Sequence, residues 1–291
     1  MKRWADSGLV TVTRTVGGHR RITITEAVRF IRQIGATLVR PDVLGLTEMA
    51  ALPADWTNRS EPHETVVTAL EHGECAAVRG MVQSMYLGGS SIAAICDGPF
   101  RQAMTRIGEL WLHQDWGIAV EHRATDISIR ALTQLRFLLP PLAEDAPVAL
   151  GGALETDPYL LPSLMAAGVV AEAGFRDVNL GPRTPIKTVQ AAAEHYQAKL
   201  VWSAVSAVKD REETLKAWQQ ASASLAKQGV EWIAGGRAVG EFQASELPHV
   251  RIAHSMSDLS AFARELMSRL RPGGMPEPPH DLSSGGLGEA D

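Results

Sequence analysis

Three sets of residues in this 291-residue chain have types and spacing that could do chemistry. The first is cationic: Lys2, Arg3 and Trp4, then Arg14, His19, Arg20 and Arg21 around Gly17-Gly18. Arginines at a hairpin tip and at a helix end can grip phosphates on both sides of a groove. The glycine pair lets such a loop approach a backbone closely. The second set is Trp111, followed after nine residues by Glu121-His122. By residue type alone, a single tryptophan and an interior histidine read as core. The third set is Asp157 and Tyr159, then Ser203, then Gly235-Gly236, each at the end of a short apolar run. A neutral tyrosine is a poor metal ligand, because its phenol ionises only near pH ~10.

Other chemistries find no pattern. The sequence has no Ser-His-Asp order, phosphate-binding glycine loop or paired catalytic carboxylates, so no catalytic residue is assigned and the chain is not read as an enzyme. His63, His72, His195, His249 and His254 lack paired metal spacing and read as surface residues, and Glu48, Glu61 and Glu64 read as solvated. Cys75 and Cys96 form neither a disulfide framework nor a metal knuckle, which fits a reducing cytoplasm. No apolar run approaches the roughly 18 residues of a membrane span, and the N-terminus has no apolar leader. Charge is uneven. Residues 1–36 hold seven basic residues against Asp6 and Glu26, a net +5 on a chain whose total is −5. A basic head on an acidic body fits a polyanion partner for the head alone.

The elements that must position these residues follow from periodicity. Residues 2–7 read as a helix end, 9–15 and 19–24 as strands of a hairpin, and 26–34 as a helix capped by Thr25. Residues 37–61 read as a linker, with Pro41 and Pro53. Residues 62–141 read as a four-helix bundle, with helices over 63–72, 75–86, 91–105 and 108–139. From 145 to 271, strands at 148–150, 177–180, 200–205, 231–234 and 250–253 alternate with helices at 160–173, 186–196, 212–228 and 256–270. That alternation predicts a doubly wound, parallel, Rossmann-like sheet, whose ligands sit at the carboxyl ends of the strands. Residues 272–291 are rich in Pro, Gly, Ser and acid and are expected to be disordered. The fold class is therefore multi-domain, α and α/β.

The head resembles the winged helix-turn-helix of the MerR superfamily and its excisionase-like relatives. Lys2 to Gly8 is similar to the recognition helix, and Arg14 to Ile22 to the wing; the motif's first helix lies outside the sequence. The resemblance implies DNA contacts by Lys2, Arg3, Trp4, Arg14, His19, Arg20 and Arg21. The order head, bundle, α/β domain resembles the light-responsive cobalamin repressors of that superfamily. Their bundle motif, Trp-x9-Glu-His, is matched by Trp111, Glu121 and His122, which implies a bundle capping the upper face of a corrin. Leu112 stands where the family has an upper-ligand histidine, with His113 one residue further on.

The α/β section resembles cobalamin-binding domains, which carry Asp-x-His-x-x-Gly, Ser-x-Leu and Gly-Gly. Here Asp157 to Pro162 is followed after 40 residues by Ser203-Ala204-Val205, and after 29 more by Gly235-Gly236. The loop Leu180 to Pro185 is also similar to the family's loop after its second strand. Small residues in these loops imply a slot for a nucleotide tail, with Ser203 bonding its base. Tyr159 replaces the lower-ligand histidine and Pro162 the glycine, which excludes a histidine-ligated, base-off corrinoid at this position.

Cofactor readings that stay open are cobalamin with its own base or no lower ligand, another tetrapyrrole such as haem with a phenolate ligand, or no ligand. The first functional expectation is a transcriptional regulator. Its bundle and cobalamin-type domain sense a tetrapyrrole or a partner, and self-association couples two weak heads to DNA. The alternatives are a corrinoid methyl-carrier protein and a ligand-free assembly protein derived from such a sensor.

Overall fold

The computed structural model describes residues 2–53, 56, 61–111 and 116–271. The predicted tail, 272–291, lies outside them. Among the described residues, no helix is long and apolar enough to cross a membrane.

The head is α1 (Lys2–Asp6), a hairpin of β1 (Thr13–Arg14) and β2 (Arg20–Arg21), and α2 (Ile24–Ile34). Its strands are two residues each, shorter than the alternation implied. Thr13 pairs with Arg21 and Arg14 with Arg20. The cap of α2 is Thr23 rather than Thr25. The Thr23 hydroxyl accepts from the Glu26 amide at 3.2 Å, two residues earlier than the sequence suggested. Glu26 organises the head. It accepts from the Thr11 amide at 2.6 Å and from Arg29, and these partners hold its carboxyl down at about 2, against its burial.

Residues 37–61 are not merely a linker. A 3-10 turn (Pro41–Leu44) and α3 (Thr47–Ala50) lie on the bundle, with Leu46 and Trp56 buried. Their backbone comes so close to Gly80 that a Cβ there would lie 2.5 Å from the Glu48 carbonyl oxygen. Glu48 itself pairs with Arg79 at 2.9 Å rather than standing in solvent.

The bundle comprises α4 (Pro62–His72), α5 (Cys75–Leu87), α6 (Ile92–Ile95), α7 (Arg101–Trp111) and α8 (Gly117–Leu135). Gly98-Pro99 does not break the third helix. A π-turn over Cys96–Phe100 links α6 to α7, and the widened turn accommodates the missing proline donor. His63 packs against Gly98 there, half-buried rather than on the surface. The helix then runs on through Gly108, because Ile107 is fully buried and its face continues the core.

The α/β section has β3 (Val148–Leu154), α9 (Leu161–Glu172), β4 (Arg176–Thr184), α10 (Ile186–His195), β5 (Leu200–Ala204), α11 (Arg211–Lys227), β6 (Glu231–Gly235), β7 (Arg251–Ala253) and α12 (Met256–Leu270). All sheet pairings are parallel, in the order β4-β3-β5-β6-β7. Parallel strands need both faces covered. The face toward α9 and α12 shares one core with the bundle, joining Phe100, Ile107 and Leu135 to Trp202 and Phe262. The face toward α10 and α11 has its own core around Trp218 and Trp232.

All three regions meet at Glu172, the last residue of α9. Its carboxylate accepts from the Ile92 amide at 2.9 Å and lies 3.7 Å from Arg32 of α2. The Arg32 guanidinium stacks 3.8 Å over the Tyr86 ring and donates to the Tyr86 and Ser90 carbonyls. Burial raises the Glu172 pKa above its ordinary 4.5, and the Ile92 amide, Arg32 and Arg264 oppose that rise.

A raised carboxyl pKa makes its contribution to stability complete below the unfolded value and lost as pH rises through the folded one. Glu172→Gln is therefore expected to flatten the fall in stability just above pH 4.5. Arg32→Ala, which strands a buried carboxylate, is expected to cost about 2 kcal/mol near neutral pH. Urea unfolding as a function of pH checks both.

Candidate functional site

A cavity of about 1050 Å³ separates the bundle from the carboxyl ends of the strands. That is at the top of the ~300–1,000 Å³ usual for ligand pockets. Its roof comes from the π-turn, α7 and α8, with Phe100, Met104, Gly108, Glu121 and Thr125. Its floor comes from the loops after β3, β5 and β6.

Roof and floor are fastened together. Asp97, in the π-turn, accepts from the Met256 amide at 2.8 Å and the Ser257 amide at 2.9 Å, so a bundle residue caps α12. Arg101 reaches the His254 carbonyl at 3.4 Å, and Arg136 pairs with Asp177 of β4.

On the floor, Asp157 is fully buried and does not line the cavity. Its carboxylate accepts from the Tyr159 amide at 3.0 Å and from the Ser206 amide, tying the β3–α9 loop to the loop after β5. It shapes the floor of the site. Tyr159 lies at the cavity wall and is 44% exposed. Pro162 also lines the cavity, and it sits in the first turn of α9, where a missing donor costs no helix bond.

Gly236 adopts φ +125°, and a Cβ there would meet the Val205 carbonyl oxygen at 2.5 Å. Gly235 and Gly236 therefore let the loop lie flat against its neighbour, with both exposed to the cavity.

Ser203 lines the cavity, but its hydroxyl is engaged elsewhere. Strand side chains alternate between faces. The Ser203 hydroxyl accepts from the Trp232 indole at 3.0 Å, and Trp232 belongs to the core under α10 and α11. The Ser203 hydroxyl is thus held on the opposite side of the sheet from the slot beneath the bundle, although the residue lines the cavity. Its neighbour Trp202 takes the other face, is 1% exposed, and lines the cavity. The Trp202 ring lies across Gly151, where an added Cβ would stand 2.5 Å from it. Sequence reading missed Trp202, although the period-2 rule applied to Ser203 points to it.

On the roof, Glu121 accepts from the Thr125 hydroxyl at 3.2 Å, and both line the cavity. His122 is on the rim, with its side chain 75% exposed and 3.5 Å from the Glu121 carboxylate. Trp111 closes α7, but its side chain lies outside the described residues, as do Leu112 and His113. Arg237 and His254 line the cavity as well and were not anticipated. Among the described residues, no three His, Cys, Asp or Glu side chains gather as a metal site.

The head's residues are elsewhere. Arg3, Arg14, His19 and Arg21 are exposed. Trp4 instead packs on Phe30, with ring centroids 5.0 Å apart, and Arg20 pairs with Asp6 at 2.6 Å. Both contacts lie within the head, and Trp4 remains 41% exposed. The side chain of Lys2 lies outside the described residues. A smaller cavity of about 220 Å³ separates the hairpin from Pro140-Pro141.

Residues 63–136 match the family model of the B12 binding domain. That stretch is the bundle that roofs the cavity. Among solved structures, the monomethylamine corrinoid protein of Methanosarcina barkeri is similar with a TM-score of 0.56 and 17% identity, over 70% of this chain and 97% of that one. The bundle and parallel sheet thus share its fold. Also similar are a novel cobalamin-binding protein from Desulfitobacterium hafniense DCB-2 (TM-score 0.39, 16% identity, 70% and 98% covered) and the methanol:cobalamin methyltransferase complex of Methanosarcina barkeri (0.38, 17%, 79% and 90%). No curated protein sequence matches the chain.

Asp157→Ala strands two loop amides and is expected to destabilise the protein by about 2–3 kcal/mol while leaving its secondary structure intact. Thermal unfolding followed by circular dichroism checks this.

Proposed function

We propose that this chain is a corrinoid-binding protein, a carrier that holds the macrocycle between bundle and sheet. One observation carries the reading: a cavity of about 1050 Å³ roofed by helices that match the B12 binding domain model and floored by small residues at parallel strand ends. The residues present fit a flat tetrapyrrole. Gly235 and Gly236 let the floor loop lie flat against Ala253 and Val205, and apolar groups of α7, α9 and α12 enclose the space above it.

The donor set fits a macrocycle without a protein ligand below it. The loop that would supply one presents Tyr159 and Pro162. A bound corrinoid supplies organocobalt chemistry. The chain's own residues enclose it, hold its faces and exclude water. Exposed Ile118, Tyr159 and Leu160 line the opening and give a second protein an apolar rim to cover.

A second reading, a ligand-dependent DNA-binding regulator, is favoured by the head. Its exposed Arg3, Arg14 and Arg21 lie on a hairpin and helix whose net charge is +5 in a chain of −5. Self-association would present two such heads at once.

The deciding experiment is an absorption spectrum after incubation with hydroxocobalamin and desalting, with haem tested in parallel. Retained corrin absorbance near one equivalent is expected, lost at least tenfold in Gly236→Val. A colourless protein overturns the reading, and retained haem alone redirects it to Tyr159 as an iron ligand. For the second reading, Arg14→Glu with Arg21→Glu is expected to abolish any DNA retardation in a gel at low salt without changing cofactor retention.

A further inference from the structure

The head presents cations that the rest of the described structure does not neutralise. Of its arginines, Arg20 pairs with Asp6, Arg29 with Glu26 and Arg32 with Glu172. Those contacts engage Asp6 and Glu26, the acidic residues of the head. Arg3, Arg14 and Arg21 are exposed, and among the described residues none of them has a carboxylate partner.

The hairpin separates two of these. Arg14 stands opposite Arg20, and Arg21 opposite Thr13. Directly opposed residues share a face and neighbours along a strand do not, so Arg14 and Arg21 are on different faces. A flat anionic surface meets one of them. A single extended anionic chain can cross the hairpin and meet both.

The protein's own sequence supplies such a segment. Residues 272–291, outside the described residues, contain Glu277, Asp281, Glu289 and Asp291 and no lysine or arginine. The described chain leaves α12 at Arg271, beside the end of α9, where a Cβ on Gly174 would lie 3.8 Å from the Arg271 guanidinium. Glu172, at that same end of α9, is 3.7 Å from Arg32 in the last turn of α2. From there α2 is a rod of about 16 Å leading back toward the hairpin. Twenty residues can span about 65 Å, several times that distance. Exposed ion pairs are individually weak, but a tether raises the effective concentration of the partner to the order of millimolar.

We propose that the acidic segment 272–291 docks on the cationic hairpin of its own head and screens Arg14 and Arg21, so that any external polyanion must displace it. This stands apart from the corrinoid reading, because no described residue of the head lines the large cavity.

The test compares the full chain with a full-length variant carrying Glu277→Gln, Asp281→Asn, Glu289→Gln and Asp291→Asn. Hydrogen–deuterium exchange of the hairpin amides, residues 13–21, is expected to be at least threefold slower in the unaltered chain at low salt. The difference is expected to vanish at about 1 M salt, where charges are screened within about 3 Å. Fluorescent heparin, as a polyanion probe, is expected to bind the variant at least fivefold more tightly than the unaltered chain. A control removes as many charges from exposed positions of the body, Glu61→Gln, Glu144→Gln, Glu155→Gln and Glu194→Gln. It is expected to match the unaltered chain in both readouts. Equal hairpin exchange in the unaltered chain and the variant overturns the proposal. So does a control that tightens heparin binding as much as the variant does. Cofactor retention tests the corrinoid reading separately from either outcome.

Discussion

The cavity exists because a carboxylate from one region caps a helix of another. Asp97 sits in a π-turn of the bundle, yet both its oxygens accept from the first amides of α12. Those amides have no partner within their own helix. A negative charge at a helix N-terminus is also favoured by the backbone dipoles. The π-turn matters to this contact. It is the one place where the third helix of the bundle is widened, and it brings Asp97 and Phe100 to the cavity wall together. The fastening fixes the height of the roof over the strand ends, and with it the space that any ligand can take.

Below that roof, the pleat of β5 divides the labour. Trp202 and Ser203 are adjacent, so they serve opposite faces. Trp202 fills space beside α9 and needs Gly151 of β3 to have no side chain. Ser203 braces Trp232 in the other core. A one-residue change in register would exchange them, placing a hydroxyl in the cavity and an indole in the opposite core. The pairing of β5 with β3 and with β6 over its full length holds the register that prevents this.

Much of this was legible in the sequence. The alternation of apolar runs and helical stretches after Pro141 gave all five strands and four helices of the sheet domain to within a few residues, because buried parallel strands are short, apolar and bounded by helices. Gly235-Gly236 and the loop at Tyr159 were placed at strand ends for the same reason, and both line the cavity. The misses have physical causes. Asp157 was grouped with the cofactor site, but its partners are amides 2 and 49 residues away, which spacing cannot show. Ser203 lines the cavity as its motif implied, but the pleat turns its hydroxyl to the opposite face. Residues 37–61 looked like a linker because of Pro41 and Pro53, whereas Leu46 and Trp56 between and beyond them are buried by tertiary contact, which the sequence does not show. Trp4 and Arg20 also have partners within the head, Phe30 and Asp6, which spacing does not show.

One element is common to the cavity and the head. The N-terminal turns of α9 supply Leu161, Pro162, Met165 and Ala166 to the cavity. Its last residue, Glu172, stands beside Arg32 of the head. Twelve residues of helix make a rod of about 18 Å. A packed helix of that length moves as a unit or not at all, since its apolar face is locked into a close-packed core. The head is therefore not tethered loosely to the rest of the molecule. A ligand that displaced α9 would alter the surroundings of a buried carboxylate, and Arg32, stacked on Tyr86 and bonded to two bundle carbonyls, would have to answer. A ligand that left α9 in place would leave the head as a fixed brace on the bundle. Carrier and regulator thus differ at one point of physics: whether α9 has one position or two. Any coupling through it must be reciprocal, so a head engaged elsewhere would change the affinity of the cavity by the same factor.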